Sequence, residues 1–240
     1  MIHAKIPLTR EEELWRRVRD FNDHNLPTLE AIKTTLLETV NVLDNSNIDY
    51  VLFGGLAGLK LGRPRITHDI DFLIHPQDAE TILEVLKTHD YEIERRDPQW
   101  IYKAWKNNVL IDLIFKSCGD IYLDPEVKSH SLLIPYWDRM IQTISAEDYL
   151  MIKVAANREK SFHHWYDALS VLKENRLDWT YLPHRSRYAP RRLLSLLIYA
   201  HSLDIEVPQV IIDALYKRIY GNLLTENKIS MHDMNSFHST

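Results

Sequence analysis

The sequence predicts an α+β protein, a mixed sheet with flanking helices followed by a C-terminal helical subdomain. Two observations carry that prediction. Up to about residue 125, short apolar runs of strand length alternate with stretches of helical periodicity. Beyond Pro135 the spacing is helical, and prolines stand near the predicted helix starts. No internal repeat or low-complexity linker separates the two regions, so they are expected to pack directly, with the substrate cleft between them.

Residues 1–47 read as N-terminal helices packing on the core. Glu11 to Arg19 is charged and reads as a solvated helix. Thr28 can cap a helix whose apolar positions Ile32, Leu36, Val40 and Leu43 recur at helical spacing. Asp44 to Asn47 are turn-forming residues that end it. The core is expected over 48–125: a strand at Tyr50–Phe53, a Gly-Gly turn into a short helix, and a strand at Ile70–Ile74. A helix from about Asp78 to Thr88 follows Pro76, with Ile82, Leu83 and Leu86 inward. Tyr91–Arg95, Trp100–Trp105 and Val109–Phe115 then read as strands. The helical subdomain is expected over 126–225. Its first helix opens at Ser145 to Asp148, which resembles a capping box with acids favourably placed for the helix dipole. Further helices are expected over about Phe162 to Lys173, after Pro190 and after Pro208. A polar tail covers 226–240.

Composition sets limits on function. The 240 residues are 45% apolar and 26% charged, as in ordinary globular proteins. No long apolar run offers a membrane span, and the first residues lack a secretory apolar core. The single cysteine, Cys118, excludes an internal disulfide framework and a cysteine-based zinc cluster; it fits a reducing cytoplasm. A net charge of −5 argues against a broad nucleic-acid-binding surface but not against a local basic patch. The second half holds such a cluster at Arg185, Arg187, Arg191 and Arg192.

The segment from Tyr50 to Ile74 carries the chemistry. Alternate strand residues share a face, so Asp69 and Asp71 project together while Ile70 and Phe72 point away. Two such carboxylates repel, and each would prefer a proton; a divalent cation removes that penalty. Oxygen-only ligands suit a hard ion such as Mg²⁺, with Mn²⁺ as the substitute. Gly54 and Gly55 let backbone N–H groups approach a phosphate, and a helix start adds a favourable dipole. Asp112 interrupts an almost wholly apolar strand, where a lone carboxylate is costly unless paired or bound to metal. If the two strands are neighbours, three carboxylates converge. Metal and phosphate cradle in one unit suggest chemistry on a nucleoside triphosphate.

Gly54, Gly55, Arg65, Thr67, Asp69 and Asp71, in the order Gly-Gly then Arg-x-Thr-x-Asp-x-Asp, resemble the signature of the DNA polymerase β-like nucleotidyltransferase superfamily. The closer similarity is to its small prokaryotic minimal and AbiEii-like members. The strong match covers about Ile48 to Lys116, and a weaker one continues to about Lys173. The resemblance implies a nucleotidyltransferase-fold sheet. It also implies two-metal transfer of a nucleoside monophosphate from an NTP, such as ATP, to an acceptor hydroxyl, with pyrophosphate leaving. Asp69 and Asp71 would hold both metals, and Asp112 would bind the catalytic one and help activate the hydroxyl. Gly54 and Gly55 would hold the triphosphate, with Arg65 and Thr67 beside it. Lys153, in a Glu147-Asp148-x-x-x-x-Lys153 helix, would contact the triphosphate. Related enzymes often carry Arg-Asp-x-x-Asp where this chain has His163 and His164 followed by Asp167, so only Asp167 matches. His164 and Asp167, one turn apart, could share an ion; adjacent histidines on a helix cannot easily do so. Implied partners are the triphosphate and an acceptor that is RNA (such as tRNA), protein or a small molecule, together with a toxin or antitoxin in a defence setting; no membrane is implied.

Two other readings use the same residues. A silent module of the same fold would bind a nucleotide or a partner, as an antitoxin does, but it has no need to bury three acids. A haloacid-dehalogenase-like phosphatase needs its first Asp at the end of a buried apolar strand, whereas the apolar run here follows Asp69. A glycosyltransferase would not need the upstream glycines.

Overall fold

The computed structural model describes residues 26–63, 67–158 and 161–226, the last five of these as backbone only. The expected helix at Glu11 to Arg19, Arg65, and the tail beyond 226 lie outside the described residues.

Helix α1, Leu29–Asn45, starts where Thr28 Oγ1 accepts a hydrogen bond from the Ala31 N–H at 3.1 Å. It buries Ile32, Leu36, Val40 and Leu43, the positions its periodicity marks. Strand β1 (Tyr50–Phe53) runs straight into the short helix α2 (Gly54–Lys60), and β2 (Asp69–Ile74) follows. A 3₁₀ turn at Pro76–Asp78 leads into α3 (Ala79–Thr88), then β3 (Glu92–Asp97), β4 (Ile101–Lys106) and β5 (Val109–Ile114). Asn107 and Asn108 both have positive φ, 53° and 61°. That is the two-residue turn whose twist suits a hairpin, and it pairs Lys106 with Val109.

The next stretch corrects the helical reading. A short helix α4 (Pro125–His130) precedes a second hairpin, β6 (Leu132–Tyr136) and β7 (Arg139–Thr143). The seven strands lie in the order β3-β4-β5-β2-β1-β7-β6. Pro135 sits in β6, at the sheet edge, where a missing N–H breaks no ladder. Helices α5 (Ala146–Ala156), α6 (His163–Glu174), α7 (Tyr181–Arg185), α8 (Pro190–His201) and α9 (Gln209–Glu226) complete the described chain.

Strand alternation divides the core in two. Leu52, Ile70, Phe72, Ile111 and Leu113 pack on α1 and α3. Val51, Phe53, Leu73 and Ile114 face the other way and pack with α2, α5 and the helices after it. Asp69 and Asp71 share the face of Leu73, so the acids look toward the C-terminal helices. Among the described residues no helix is long and apolar enough to cross a membrane.

Candidate active site

Register brings the acids together. β2 and β5 are parallel neighbours, and Asp71 lies directly opposite Asp112. One carboxylate oxygen from each of Asp69, Asp71 and Asp112 can lie within 4.8 Å of the others. On the far side of β2, Asp71 pairs with Phe53, the last residue before the glycines. The acids and the elbow therefore sit on adjacent strands at one level of the sheet.

The glycines are required by contact. Gly54 adopts φ +61°, and a Cβ placed on it would stand 1.9 Å from Asp71 Oδ2. A Cβ on Gly55 would stand 2.1 Å from Thr67 Oγ1. The Gly55 N–H donates to Asp71 Oδ2 at 3.2 Å, and the Thr67 hydroxyl donates to Asp69 Oδ1. Burial, then the negative charges of Asp69 and Asp112, push the Asp71 carboxyl up to about 7; Lys153 and the Gly55 N–H act against that rise. Burial also raises Asp112, with Lys103 opposing. Asp71 and Asp112, pushed toward the neutral form by burial and then by neighbouring negative charge, belong to a cation-demanding set. Hard oxygen donors with no sulfur or nitrogen among them fit Mg²⁺ or Mn²⁺.

Lys103 and Arg63 complete the constellation, and neither is marked by the sequence motif. Lys103 on β4 lies directly opposite Asp112, and its Nζ is 2.5 Å from Asp112 Oδ1. Phe53, Asp71, Asp112 and Lys103 thus form one row across four strands. The signal for Lys103 was the Asn107-Asn108 turn, since counting back from it pairs position 103 with 112. Arg63, 2% exposed, donates through Nη2 to the Gly55 carbonyl at 3.0 Å, and its Nη1 is 3.6 Å from Asp167 Oδ2. Lys153 Nζ lies 3.8 Å from the same Asp167 oxygen and 5.1 Å over the Tyr149 ring. Asp167 is fully buried and holds two cations beside the elbow, which gives it a bracing function.

An open cleft of about 930 Å³ lies between the sheet and α5, with Asp69 and Asp71 at its surface and Asp112, Lys103 and Asp167 behind its lining. Gly54, Gly55, Arg63, Thr67, Asp69, Asp71 and Lys153 form one part of its wall. Gln99, Trp100 and residues 116–120, which follow β5, form another, and His163 and His164 reach it from α6. Cys118 is exposed at this wall. Arg185 is not part of any basic surface. It is fully buried, with Nε 2.7 Å from Asp148 Oδ1 and Nη1 within 2.9 Å of Asp124 and Glu126.

Residues 32–202 match the protein family described as "Nucleotidyl transferase of unknown function (DUF2204)". The chain belongs to that family. Its architecture, a mixed sheet with flanking helices, is consistent with an α+β nucleotidyltransferase fold. No curated protein matches the chain significantly. Among solved structures, it is similar to the lincosamide antibiotic adenylyltransferase LnuA with lincomycin bound, at 17% identity over 62% of this chain and 99% of that one, with a TM-score of 0.46. It is also similar to ANT(2″)-Ia in complex with adenylyl-2″-tobramycin, at 15% identity over 66% and 97%, with a TM-score of 0.47. A third is an antigenic nucleotidyltransferase-like protein from Paracoccidioides brasiliensis, at 19% identity over 71% and 94%, with a TM-score of 0.43.

Proposed function

We propose that this nucleotidyl transferase is a divalent-metal-dependent enzyme that moves a nucleoside monophosphate from an NTP to an acceptor hydroxyl. The observation that carries the reading is the convergence of Asp69, Asp71 and Asp112, with oxygens within 4.8 Å of one another, at the level of the Gly54–Gly55 elbow. Asp69, Asp71 and Asp112 would hold the metal, Mg²⁺ or Mn²⁺. When bound, a pair of such ions supplies charge neutralisation to the attacking and leaving oxygens of an in-line displacement.

The chain's own residues supply position and charge. Lys153 and Arg63, both braced by Asp167, present positive charge where the triphosphate enters, with Thr67 beside the glycines; Arg65, two residues before Thr67 in the sequence, would add a further positive charge. Side-chain-free Gly54 and Gly55 let the phosphates approach the backbone closely. The acceptor oxygen forms a bond to the α-phosphorus, the α–β bridging P–O bond breaks, and pyrophosphate departs. Asp112 accepts the proton from the acceptor hydroxyl. Lys103, 2.5 Å from Asp112, favours its ionised form and so readies it for that proton.

The experiment uses one nucleotide carrying two alternative labels. With Mg²⁺ and fractionated lysate, label on the α-phosphate should enter an acceptor while label on the γ-phosphate leaves as pyrophosphate. Asp69→Ala combined with Asp71→Ala should abolish both. Undiminished transfer in the double variant sinks the proposal.

A further inference from the structure

A second cavity, of about 840 Å³, adjoins the cleft. Arg187, Arg191, Arg192 and Arg218 line it, and among the described residues no Asp or Glu does. In a chain of net charge −5, such a concentration of guanidinium groups is a local exception. Most of these groups are oriented without being neutralised. Arg192 donates to the Ala155 carbonyl; Arg218 donates to the Pro183 carbonyl at 3.2 Å and to the Ser186 hydroxyl. Arg191 lies 6.0 Å over the Tyr220 ring. Arg187 alone among the four has a carboxylate partner within the described residues, Glu126, at 2.5 Å. Uncharged acceptors fix a guanidinium in place and leave its charge for a ligand.

The cavity lies beside the cleft on the side that follows Asp112. The loop after β5 lines the cleft from Lys116 to Asp120, and its Gly119 lines both spaces. Gly119 has φ +81°, and a Cβ there would stand 3.0 Å from the Ala155 Cβ and 3.5 Å from the Tyr188 carbonyl oxygen. Gly119 therefore forms part of the wall between the two spaces. The end of α5 is shared as well, Ala156 lining the cleft and Ala155 the cavity.

We propose that this cavity holds phosphates of the acceptor, and that the acceptor is the 3′ end of a single-stranded polynucleotide. The inference rests on the nucleotidyl-transfer reading for the fate of the terminal hydroxyl; the grip itself is a binding property. A terminal ribose in the cleft places its hydroxyl beside Asp112 and its upstream phosphodiesters beyond Gly119. Three cations without carboxylate partners among the described residues, spread around a cavity of this size, suit successive phosphates better than one.

The test measures binding of 5′-fluorescent decauridylate and decathymidylate by anisotropy at several salt concentrations, using full-length Asp69→Ala/Asp71→Ala protein so that no chemistry intervenes. Affinity should fall steeply with salt. Combined Arg191→Glu, Arg192→Glu and Arg218→Glu should weaken it at least about tenfold. The same triple change should make the log–log salt slope shallower by roughly 2, at about 0.7 for each phosphate no longer neutralised. Arg191→Gln alone, at an exposed position, should weaken binding by roughly threefold without disturbing the fold. The uridylate and thymidylate arms tell RNA from DNA, and either one binding in this way supports the proposal. Equal affinity and slope in wild-type, triple and single variants would overturn it. So would competition by inorganic pyrophosphate or a phosphoserine peptide that matches unlabelled oligonucleotide at equal phosphate. Strand binding with no nucleotide transfer by the wild-type protein would count against the proposed function and not against this grip. Transfer to a phosphate-free acceptor without strand binding would do the reverse.

Discussion

Gly54 shows how tightly a single residue is specified here. Its φ of +61° and the 1.9 Å that would separate a Cβ from Asp71 Oδ2 leave no room for any side chain. Gly54→Ala should displace the Asp71 carboxylate, destabilise the protein by about 1–3 kcal/mol in urea unfolding, and cut nucleotide transfer more than about a hundredfold. Asp71 makes a second prediction. Its carboxyl rises from 3.8 to about 7 in the folded, metal-free chain, so the folded state holds a proton that the unfolded state has released. Across pH 4 to 7 the unfolded chain binds fewer protons at this site, so the Asp71 contribution lowers stability as pH rises. Thermal melts without metal should show that decline, and Asp71→Asn should flatten it; an identical slope in the variant would contradict the assignment. Lys103 acts on Asp112 in the opposite sense. Lys103→Met removes the charge that opposes burial, so the acid limb of the pH–rate profile should move to higher pH. Asp69, Asp71 and Asp112 were legible in the sequence because a carboxylate inside an apolar strand has few bland explanations. Arg63 and Lys103 were not, because neither breaks a pattern. What makes them part of the site is the fold around Asp167 and the register of β4.

At the scale of elements, two hairpins contrast. The β4–β5 hairpin carries its own instruction in Asn107 and Asn108, residue types that tolerate the left-handed region, and its strands fall within two residues of where alternation puts them. The β6–β7 hairpin turns at Trp137, φ 53°, with no Gly or Asn to announce it, and Pro135 lies inside its edge strand. Leu132 and Leu133 are both exposed, so β6 lacks the in–out alternation that marks a strand. The helices that pack on the sheet are joined by a buried ion cluster. Arg185 of α7 meets Asp148 of α5 and, at the start of α4, Asp124 and Glu126, while the Tyr181 hydroxyl donates to Asp148 at 2.7 Å. A cluster of four arginines in sequence therefore resolves into one structural member, Arg185, and three that line the second cavity. Arg185→Met strands Asp148 without its cation in the interior and should cost about 3–5 kcal/mol in urea unfolding. A loss below about 1 kcal/mol would show that the cluster does not hold these helices.

On the scale of the whole molecule, a seven-stranded sheet lies between a layer formed by α1 and α3 and a larger layer formed by α2 and the C-terminal helices. The acids stand on the face toward the larger layer, so the cleft between sheet and α5 is a consequence of strand parity. Moving β2 by one residue would turn Asp69 and Asp71 toward α1 and leave the glycine elbow facing Ile70. The site is therefore a property of the assembled sheet, and its central claim is that Asp69, Asp71 and Asp112 bind a divalent cation together with a triphosphate. Titration of Mn²⁺ followed by electron paramagnetic resonance, with and without a non-hydrolysable NTP, measures that directly. Wild-type protein should take up Mn²⁺ more tightly when the nucleotide is present, and Asp69→Ala/Asp71→Ala should show neither uptake nor enhancement. Equal Mn²⁺ binding by the two proteins would contradict the account.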